Sequence, residues 1–178
     1  MNFNNTSIDW YQVHEVISAA DRIMLSTHEN PDGDGLGAEC GLYYHLKDNG
    51  KDVRILNYSP LPDDYTFLNS DQIFECYDQN IHENWVKDVD LVIIFDVGDF
   101  VRIRTIVDAV KSHGLKTLNI DHHPHPDEHP FTHNVVDLSA AATGCMVYDY
   151  LQIARKDPIV KKSFEGIYTA VMTDTGCF

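Results

Sequence analysis

The chain of 178 residues, 43% of them hydrophobic, is long enough for one globular domain with its own core and would crowd two. Its formal net charge of −15 argues against a broad binding surface for duplex DNA, since such surfaces neutralise phosphates with Lys and Arg. No apolar run approaches the roughly 20 residues that cross a bilayer, and Met1 to Asp9 are polar, so we expect a cytoplasmic protein without a membrane partner.

The first part of the chain has the pattern of helix, strand, loop, helix and strand. Thr6 to Asp9 resembles a capping box, and apolar residues at helical spacing follow it. Ile23 to Leu25 is a short apolar run typical of a strand, and Asn30 to Gly37 is a loop rich in Gly and Pro. A helical pattern then runs to the stop signal at Asn49-Gly50, and Val53 to Leu56 predicts the next strand.

The second part of the chain repeats the alternation. Leu91 to Phe95 predicts a buried strand, Phe100 to Ser112 a helix, and Thr117 to Ile120 another strand. Helical patterns follow through Met146 to Leu151 and Ile167 to Val171. Continuous apolar strands that alternate with helices indicate a parallel sheet covered on both faces. The predicted fold class is therefore α/β, a doubly wound and mostly parallel sheet.

Polar residues able to bind metals follow three of the predicted strands. His28 to Asp34 follows the first, Asp96 follows Phe95, and Asp121-His122-His123 follows Ile120. Turn chemistry explains a single Asp at a strand end, but it gives no reason for the imidazoles. Since the ligand crevice of open parallel sheets lies beyond the carboxyl ends of the strands, the joint pattern predicts a metal site. Imidazole with carboxylate suits Mn²⁺, Zn²⁺, Fe²⁺ or Co²⁺, and Mn²⁺ is our first choice.

The glycine-rich loop contains two incomplete motifs. Asp32-Gly33-Asp34-Gly35 lacks the remaining ligands and the glycine position of a calcium loop. Gly33, Gly35 and Gly37 lack the full spacing of a dinucleotide fingerprint. We interpret these glycines as letting the backbone bend, so that Asp32 and Asp34 both point inward. A helix beginning near Gly35 would also aim its positive end at a phosphate.

Four motifs, in order and over nearly the whole chain, resemble those of the DHH phosphoesterase family. They are His28 to Asp34, Phe95 to Asp99, Asp121 to His123, and Thr173 to Gly176. Asn119-Ile120 and Ala140 to Gly144 resemble the branch that contains oligoribonucleases and phosphatases of 3′-phosphoadenosine 5′-phosphate. Order, spacing and placement at strand ends all agree, so the resemblance is specific.

The resemblance implies a site for two metal ions. Six residues would hold them: His28, Asp32, Asp34, Asp96, His122 and Asp174. One ion would be held by the first two residues together with Asp96, and the other by the remaining three together with Asp96, which bridges the pair. The resemblance further implies that His123 contacts the scissile phosphate or protonates the leaving group, and that Asp121 orients its neighbours.

The implied reaction is Mn²⁺-dependent hydrolysis of a phosphate ester by a hydroxide activated by two metal ions, with Co²⁺ or Mg²⁺ as substitutes. Short RNA oligomers and 3′-phosphoadenosine 5′-phosphate are the expected substrates. A cyclic-dinucleotide phosphodiesterase, an inorganic pyrophosphatase and an exonuclease of the RecJ type stay open as alternatives.

The end of the chain is a departure from the resembled branch, whose members carry a second, substrate-binding domain after the fourth motif. This chain ends at Phe178, two residues after Gly176. We therefore expect residues 1–178 to be a single catalytic domain of a truncated protein, with a naturally short chain as the alternative. A metal-binding fragment that is inactive without its second domain is the non-enzymatic alternative, and a homodimer is also open.

Several further residues have competing interpretations. The four cysteines are scattered and form no C-x-x-C pair, which predicts free thiols. His125, His129 and His133 show no zinc-type spacing and are predicted to be simple surface residues in a loop containing proline. Arg102 is either a ligand for substrate phosphate or an exposed helix residue, and Asn30 would help to organise the first loop.

Overall fold

The structure is a computed structural model that describes residues 8–177. Its strands are β1 (Arg22–Thr27), β2 (Asp52–Asn57), β3 (Phe74–Cys76), β4 (Leu91–Phe95), β5 (Thr117–Asp121) and β6 (His133–Val136). Its α-helices are α1 (Trp10–Ser18), α2 (Gly33–Asp48), α3 (Gln79–Val86), α4 (Thr105–His113), α5 (Thr143–Ala154) and α6 (Lys161–Asp174). Two 3₁₀ segments occupy Asp63–Asn69 and Phe100–Ile103.

The strands form one sheet in the order β3-β2-β1-β4-β5-β6, and every paired neighbour is parallel. Thr27 at the end of β1 lies opposite Phe95 at the end of β4. The strand order reverses between these two strands, so their carboxyl ends form the topological switch point where ligands bind in such folds. The predicted doubly wound α/β fold is confirmed.

Helices cover both faces of the sheet because successive strand residues point to opposite sides. Ile93 and Phe95 belong to the core beneath α1, α2, α5 and α6. Val92 and Ile94 belong to a second core that includes residues of α3 and α4. This arrangement explains the continuous apolar runs that the sequence shows at the strands.

Helix α6 packs very closely on α2 through a pair of glycines. A Cβ on Gly37 would lie 2.3 Å from the carbonyl oxygen of Gly166, and a Cβ on Gly166 would lie 2.7 Å from that of Gly37. Gly35 is similarly pressed against Thr27, whose Oγ1 would be 2.2 Å from an added Cβ. The interpretation of these loop glycines as bending points is wrong, because Gly33 to Gly37 lie within α2 and serve close packing.

Three local predictions differ from the structure. The first helix begins at Trp10 with Asp9 as its N-cap, so Asp9 is not the third helical residue of a capping box; Thr6 and Ser7 lie outside the described residues. The helix predicted from Phe100 to Ser112 is interrupted at Arg104, whose φ of 54° separates a 3₁₀ turn from α4. The short edge strands β3 and β6 and helix α3 had no matching prediction.

Among the helices of the described chain, none is long and apolar enough to cross a bilayer. The four cysteines are free thiols, as predicted. Burial raises the pKa of the Cys40 thiol to about 12.

Candidate metal centre

The candidate ligands come from separate elements that meet at the carboxyl edge of the sheet. His28 follows β1, Asp96 follows β4, and His122 follows β5. The other three are carried by helices: Asp32 is the N-cap of α2, Asp34 lies in its first turn, and Asp174 is the last residue of α6. The close packing of α2 on α6 brings the last of these to the same crevice.

A first group of potential ligands forms around His28. Its Nε2 lies 3.6 Å from Asp32 Oδ2 and 3.3 Å from Asp96 Oδ2. One potential ligand atom from each of the three residues lies within 4.8 Å of the other two. Two atoms that each lie about 2.1 Å from one cation are at most about 4.2 Å apart, so both distances from His28 Nε2 are compatible with a shared ion.

A second group forms around His122. Its Nε2 lies 3.5 Å from Asp34 Oδ2 and 3.2 Å from Asp174 Oδ2. It also lies 3.8 Å from Asp96 Oδ1. The two oxygens of Asp96 therefore face different groups, Oδ2 towards His28 and Oδ1 towards His122, which is the arrangement that a bridging carboxylate requires.

Backbone carbonyls orient both imidazoles. His28 Nδ1 lies 2.7 Å from the Glu29 carbonyl oxygen, and His122 Nδ1 lies 3.2 Å from the Ala140 carbonyl oxygen. A protonated Nδ1 donates to each carbonyl, so Nε2 is the nitrogen that faces the carboxylates and can bind a metal ion. This is the usual way in which a protein fixes the tautomer of a metal-binding histidine.

Asp34 is held at the amino end of α5. Its Oδ2 accepts a hydrogen bond of 2.7 Å from the Thr143 amide, and its Oδ1 accepts one of 2.9 Å from the Gly144 amide. Both amides belong to the first turn of α5, where free N–H groups and the helix dipole favour an anion. The Ala140 to Gly144 segment noted in the sequence therefore supports a candidate ligand.

Several carboxylates lie close together in the metal-free site, and their pKa values are shifted. Burial and the neighbouring Asp96 raise the pKa of Asp34 to about 7, although the two α5 amides oppose the shift. Burial also raises the pKa of Asp96. Burial would lower the pKa of His28, but Asp32 and Asp96 outweigh it and raise the pKa to about 10. The site thus favours added positive charge.

The donor set fits divalent cations. Asp96 Oδ1 and His122 Nε2 are buried, and neither has a hydrogen-bond partner among the described residues. Burying such atoms without a partner is costly, and coordination would satisfy both at once. Two imidazoles among four carboxylates match ions of the Mn²⁺, Fe²⁺, Co²⁺ and Zn²⁺ class better than Ca²⁺.

Asp96 also has an unusual backbone. Its φ of 58° lies in the left-handed region, which is uncommon for residues other than glycine, although Asp and Asn adopt it more readily. Its amide donates a 3.1 Å hydrogen bond to the Ile120 carbonyl oxygen of β5. Backbone strain of this kind is concentrated at functional sites, and here it turns the carboxylate into the crevice.

His123 and Asp121 lie beside the second group, and His123 forms a further group of potential ligand atoms with Asp96 and His122. Asp121 is fully buried, and His123 is half exposed at the crevice. His123 Nδ1 lies 2.9 Å from Asp121 Oδ1 and 3.1 Å from Asp96 Oδ1. Burial opposes the charged imidazole, but Asp121 and Asp96 outweigh it and raise the pKa of His123.

Two other sequence interpretations are corrected by the structure. His125 is not a simple surface residue: its side chain is 6% exposed, and its Nε2 lies 2.7 Å from Asp121 Oδ2. Arg102 lies on a 3₁₀ turn rather than an exposed helix, with its Nη2 3.0 Å from His28 Nδ1. A contact with substrate phosphate stays a prediction. Neither position carries a sequence signal, because each depends on a turn that brings it back to the crevice.

His129, His133 and Asn30 are the remaining residues singled out in the sequence. His129 is exposed, as predicted, whereas His133 lies in β6 rather than in a loop. Asn30 has a φ of 52°, and its amide donates a 3.0 Å hydrogen bond to Ser59 Oγ. That bond joins the loop after β1 to the segment after β2.

The fold and the crevice define an α/β domain with a doubly wound parallel sheet and a cluster of imidazoles and carboxylates at its switch point. Residues 22–173 match the DHH family, N-terminal domain. This chain belongs to the DHH family.

Curated relatives are similar over most of this chain. It is 31% identical over 167 residues to the bifunctional oligoribonuclease and PAP phosphatase NrnA of Bacillus subtilis (strain 168), covering 91% of this chain and 49% of that protein. It is also 31% identical over 174 residues to the protein of the same name from Thermus thermophilus, covering 93% of this chain and 47% of that one. The chain spans about half the length of these relatives.

Solved structures share the fold. An exopolyphosphatase-related protein from Bacteroides fragilis matches with a TM-score of 0.87 at 27% identity, covering 95% of this chain and 50% of that one. The exonuclease RecJ bound to manganese matches with a TM-score of 0.55 at 15% identity, covering 93% of this chain and 42% of that one. The second likeness shows the fold alone.

Proposed function

We propose that this chain is the catalytic domain of a Mn²⁺-dependent phosphoesterase that hydrolyses short oligoribonucleotides, 3′-phosphoadenosine 5′-phosphate, or both. One observation carries the proposal. Asp96 lies between two groups of imidazole and carboxylate atoms: its Oδ2 lies 3.3 Å from His28, which groups with Asp32, and its Oδ1 lies 3.8 Å from His122, which groups with Asp34 and Asp174. Both Asp96 Oδ1 and His122 Nε2 are buried without a hydrogen-bond partner among the described residues. Membership of the DHH family supports phosphoester hydrolysis as the chemistry of this cluster.

The proposed ligand sets follow the two groups. His28 and Asp32 with Asp96 Oδ2 would hold one cation; Asp34, His122 and Asp174 with Asp96 Oδ1 would hold the other. Two bound cations would lower the pKa of a water molecule and neutralise the phosphate. The protein's part is to fix the donor atoms: Glu29 and Ala140 carbonyls orient the imidazoles, and α5 amides orient Asp34.

His123 is the proposed catalytic side chain that is not a ligand. It is half exposed at the crevice, and its Nδ1 is hydrogen-bonded to Asp121 Oδ1 at 2.9 Å. With both ring nitrogens protonated, the form that Asp121 and Asp96 favour by raising the pKa of His123, Nδ1 donates to Asp121 and Nε2 faces the substrate, where its N–H can donate to the scissile phosphate or pass its proton to the leaving oxygen. Asp121 has no exposed surface and acts through His123 rather than on the substrate.

The proposed substrate class combines the relatives' names with the charge of this chain. Both curated relatives described above are named for oligoribonuclease and PAP phosphatase activities. A net charge of −15 is compatible with a substrate that binds through one phosphate at a local site of positive charge. It disfavours long duplexes, which are bound by many basic residues.

The proposal is tested with the full chain and Mn²⁺ on separate substrates: a short RNA oligomer, 3′-phosphoadenosine 5′-phosphate, a cyclic dinucleotide, pyrophosphate and an artificial phosphodiester. Asp96→Asn keeps the side-chain volume and removes the bridging charge, so it should abolish turnover. Asp157→Asn, at an exposed position between α5 and α6, is the matched control and should retain full activity.

The outcomes separate the candidate functions. Hydrolysis of RNA or the adenosine bisphosphate that depends on Asp96 supports the proposal. Preferential turnover of pyrophosphate or the cyclic dinucleotide would replace it with the corresponding alternative. If no substrate is turned over while Mn²⁺ still binds the chain and is lost in Asp96→Asn, the domain is a metal-binding fragment without catalysis of its own, and the proposed activity of this chain is rejected.

A further inference from the structure

Asp121 is a fully buried carboxylate whose two oxygens are both occupied by neighbouring groups. Its Oδ1 accepts hydrogen bonds from the His122 amide at 2.7 Å, the His123 amide at 3.1 Å and His123 Nδ1 at 2.9 Å. Its Oδ2 lies 2.7 Å from His125 Nε2. Three donors thus converge on one oxygen, while the other oxygen depends on a single imidazole.

We propose that His125 is a positioning residue: by donating from Nε2 to Asp121 Oδ2, it locks the carboxylate whose other oxygen holds His123 in its catalytic orientation. The proposal rests on the proposed function, because it assigns His125 to the machinery of that reaction. It goes beyond the sequence interpretation of His125 as a surface residue.

The side chain of His125 is held in a defined position. Its side chain is 6% exposed, although it lies in a segment between β5 and β6 whose other residues are mostly exposed. The ring lies 5.9 Å from that of Phe131, which belongs to the core beneath α3 and α4. A loop side chain folded back onto a buried carboxylate in this way is held by both packing and hydrogen bonding.

The tautomer of His125 follows from its surroundings. Nδ1 is buried and has no hydrogen-bond partner among the described residues, whereas Nε2 faces an acceptor at 2.7 Å. The proton therefore belongs on Nε2. Asn119 Nδ2 lies 3.4 Å from the same Nε2, but it donates to Asn134 Oδ1 at 3.0 Å, so Asn119 does not compete with Asp121 for the ring.

Loss of that donor would act on His123 through the carboxylate. Oδ2 would be left buried without its partner, which favours rotation of the Asp121 carboxylate or entry of water. Either change weakens the three contacts at Oδ1, including the one to His123 Nδ1. His123 could then turn towards Asp96 Oδ1, which is already 3.1 Å from Nδ1, and its Nε2 would lose a defined direction in the crevice.

His125 is distinct from the metal ligands by the same geometry. None of the ligand groups found among the described residues contains it, and the nitrogen that faces the site is already bonded to Asp121. The predicted effect is therefore on the orientation of His123 and on turnover, rather than on the number of bound ions.

The test compares two variants. His125→Leu removes the donor and fills the space of the ring with an apolar side chain. His125→Gln has a terminal amide that can donate from nearly the same place as Nε2. His129→Gln, at an exposed position in the same loop, is the matched control. Steady-state kinetics with Mn²⁺ should show that His125→Leu lowers kcat by roughly 10–100-fold, the usual effect of losing such a partner, with KM little changed. His125→Gln should recover most of that loss.

A second readout does not depend on activity. In the metal-free full chain labelled with ¹⁵N-histidine, NMR at alkaline pH reports which ring nitrogen of His123 carries the proton. Wild type and His125→Gln should show the Nδ1–H form, and His125→Leu should show a mixture.

The proposal is overturned if His125→Leu leaves the His123 tautomer unchanged, or if His125→Gln is as impaired as His125→Leu. A wild-type chain that hydrolyses no substrate would reject the proposed function alone, and the NMR comparison would still decide whether His125 positions His123. If His125→Leu does not fold, His125→Phe, which keeps a ring beside Phe131 and removes the donor, replaces it: a mixture of His123 tautomers supports the proposal, and a tautomer that matches wild type overturns it.

Discussion

Glu39→Gln should change how the stability of this protein depends on pH. Glu39 lies in α2 with no exposed surface. Its Oε2 accepts a 2.9 Å hydrogen bond from Asn57 Nδ2, and its Oε1 has no partner among the described residues. Burial raises the pKa of Glu39 from 4.5 to about 8, although the Asn57 bond opposes the shift. The protonated side chain is thus the form that suits the folded protein.

The difference in proton binding between the folded and the unfolded state sets the sign and size of the pH effect on stability. Between pH 4.5 and about 8, the folded state binds more protons at Glu39 than the unfolded state does, so the free energy of unfolding falls as the pH rises. Each pH step of one in that window costs about 1.4 kcal/mol. Because the slope falls as Glu39 itself deprotonates near pH 8, Glu39 should remove about 2 kcal/mol of stability between about pH 6 and pH 8. The glutamine side chain of the variant cannot ionise, and that contribution disappears.

The assay is urea unfolding of wild type and Glu39→Gln at several pH values with a metal chelator present. The difference between the two curves cancels the other titrating groups that the substitution leaves unchanged. Wild type should be the more stable protein near pH 5, where the glutamine amide leaves donors buried without acceptors, and should lose that advantage towards pH 8. A difference in unfolding free energy that does not vary with pH would refute the argument from burial.

Three further outcomes test the site and its scaffold. Asp174→Asn should remove one of two bound Mn²⁺ equivalents in an EPR titration while Asp157→Asn keeps both; unchanged stoichiometry would reject Asp174 as a ligand. Gly37→Ala should lower the free energy of unfolding by about 1–3 kcal/mol, because its Cβ would lie 2.3 Å from the Gly166 carbonyl oxygen; urea melts that coincide with wild type would contradict this. Mn²⁺ at about 100 times its Kd should raise the free energy of unfolding by about 2.7 kcal/mol per site, and a thermal melt unaffected by Mn²⁺ would argue against binding to the folded site.

The Glu39 pair also connects the core with the site. Asn57 Oδ1 accepts a 2.9 Å hydrogen bond from the Thr27 amide, and Thr27 Oγ1 donates one of 2.8 Å to the Phe95 carbonyl oxygen. Thr27 and Phe95 directly precede His28 and Asp96. Buried polar bonds therefore tie together the two strand ends from which these candidate ligands emerge.

The sequence predicted the fold class and the convergence at one edge for the same physical reason. Apolar runs such as Leu91 to Phe95 require burial on both faces, which is typical of parallel sheets, and the carboxyl ends of parallel strands all lie at one edge of the sheet. Polar residues after those strands, such as Asp96 and His122, must then lie near one another. Short edge strands such as Phe74–Cys76 escaped prediction because three residues carry too little periodicity.

The tertiary structure alone decided how the candidate ligands are supported. Asp34 is held by amides 109 and 110 residues away in the chain, and no local pattern encodes contacts over such a separation. His125 was predicted to be a surface residue because the sequence around a single loop residue does not indicate whether its side chain is buried. In the structure, the segment after β5 folds this side chain against Asp121. The local sequence shows which residue types follow each strand. The partners that orient those side chains depend on how the helices and loops pack around the sheet.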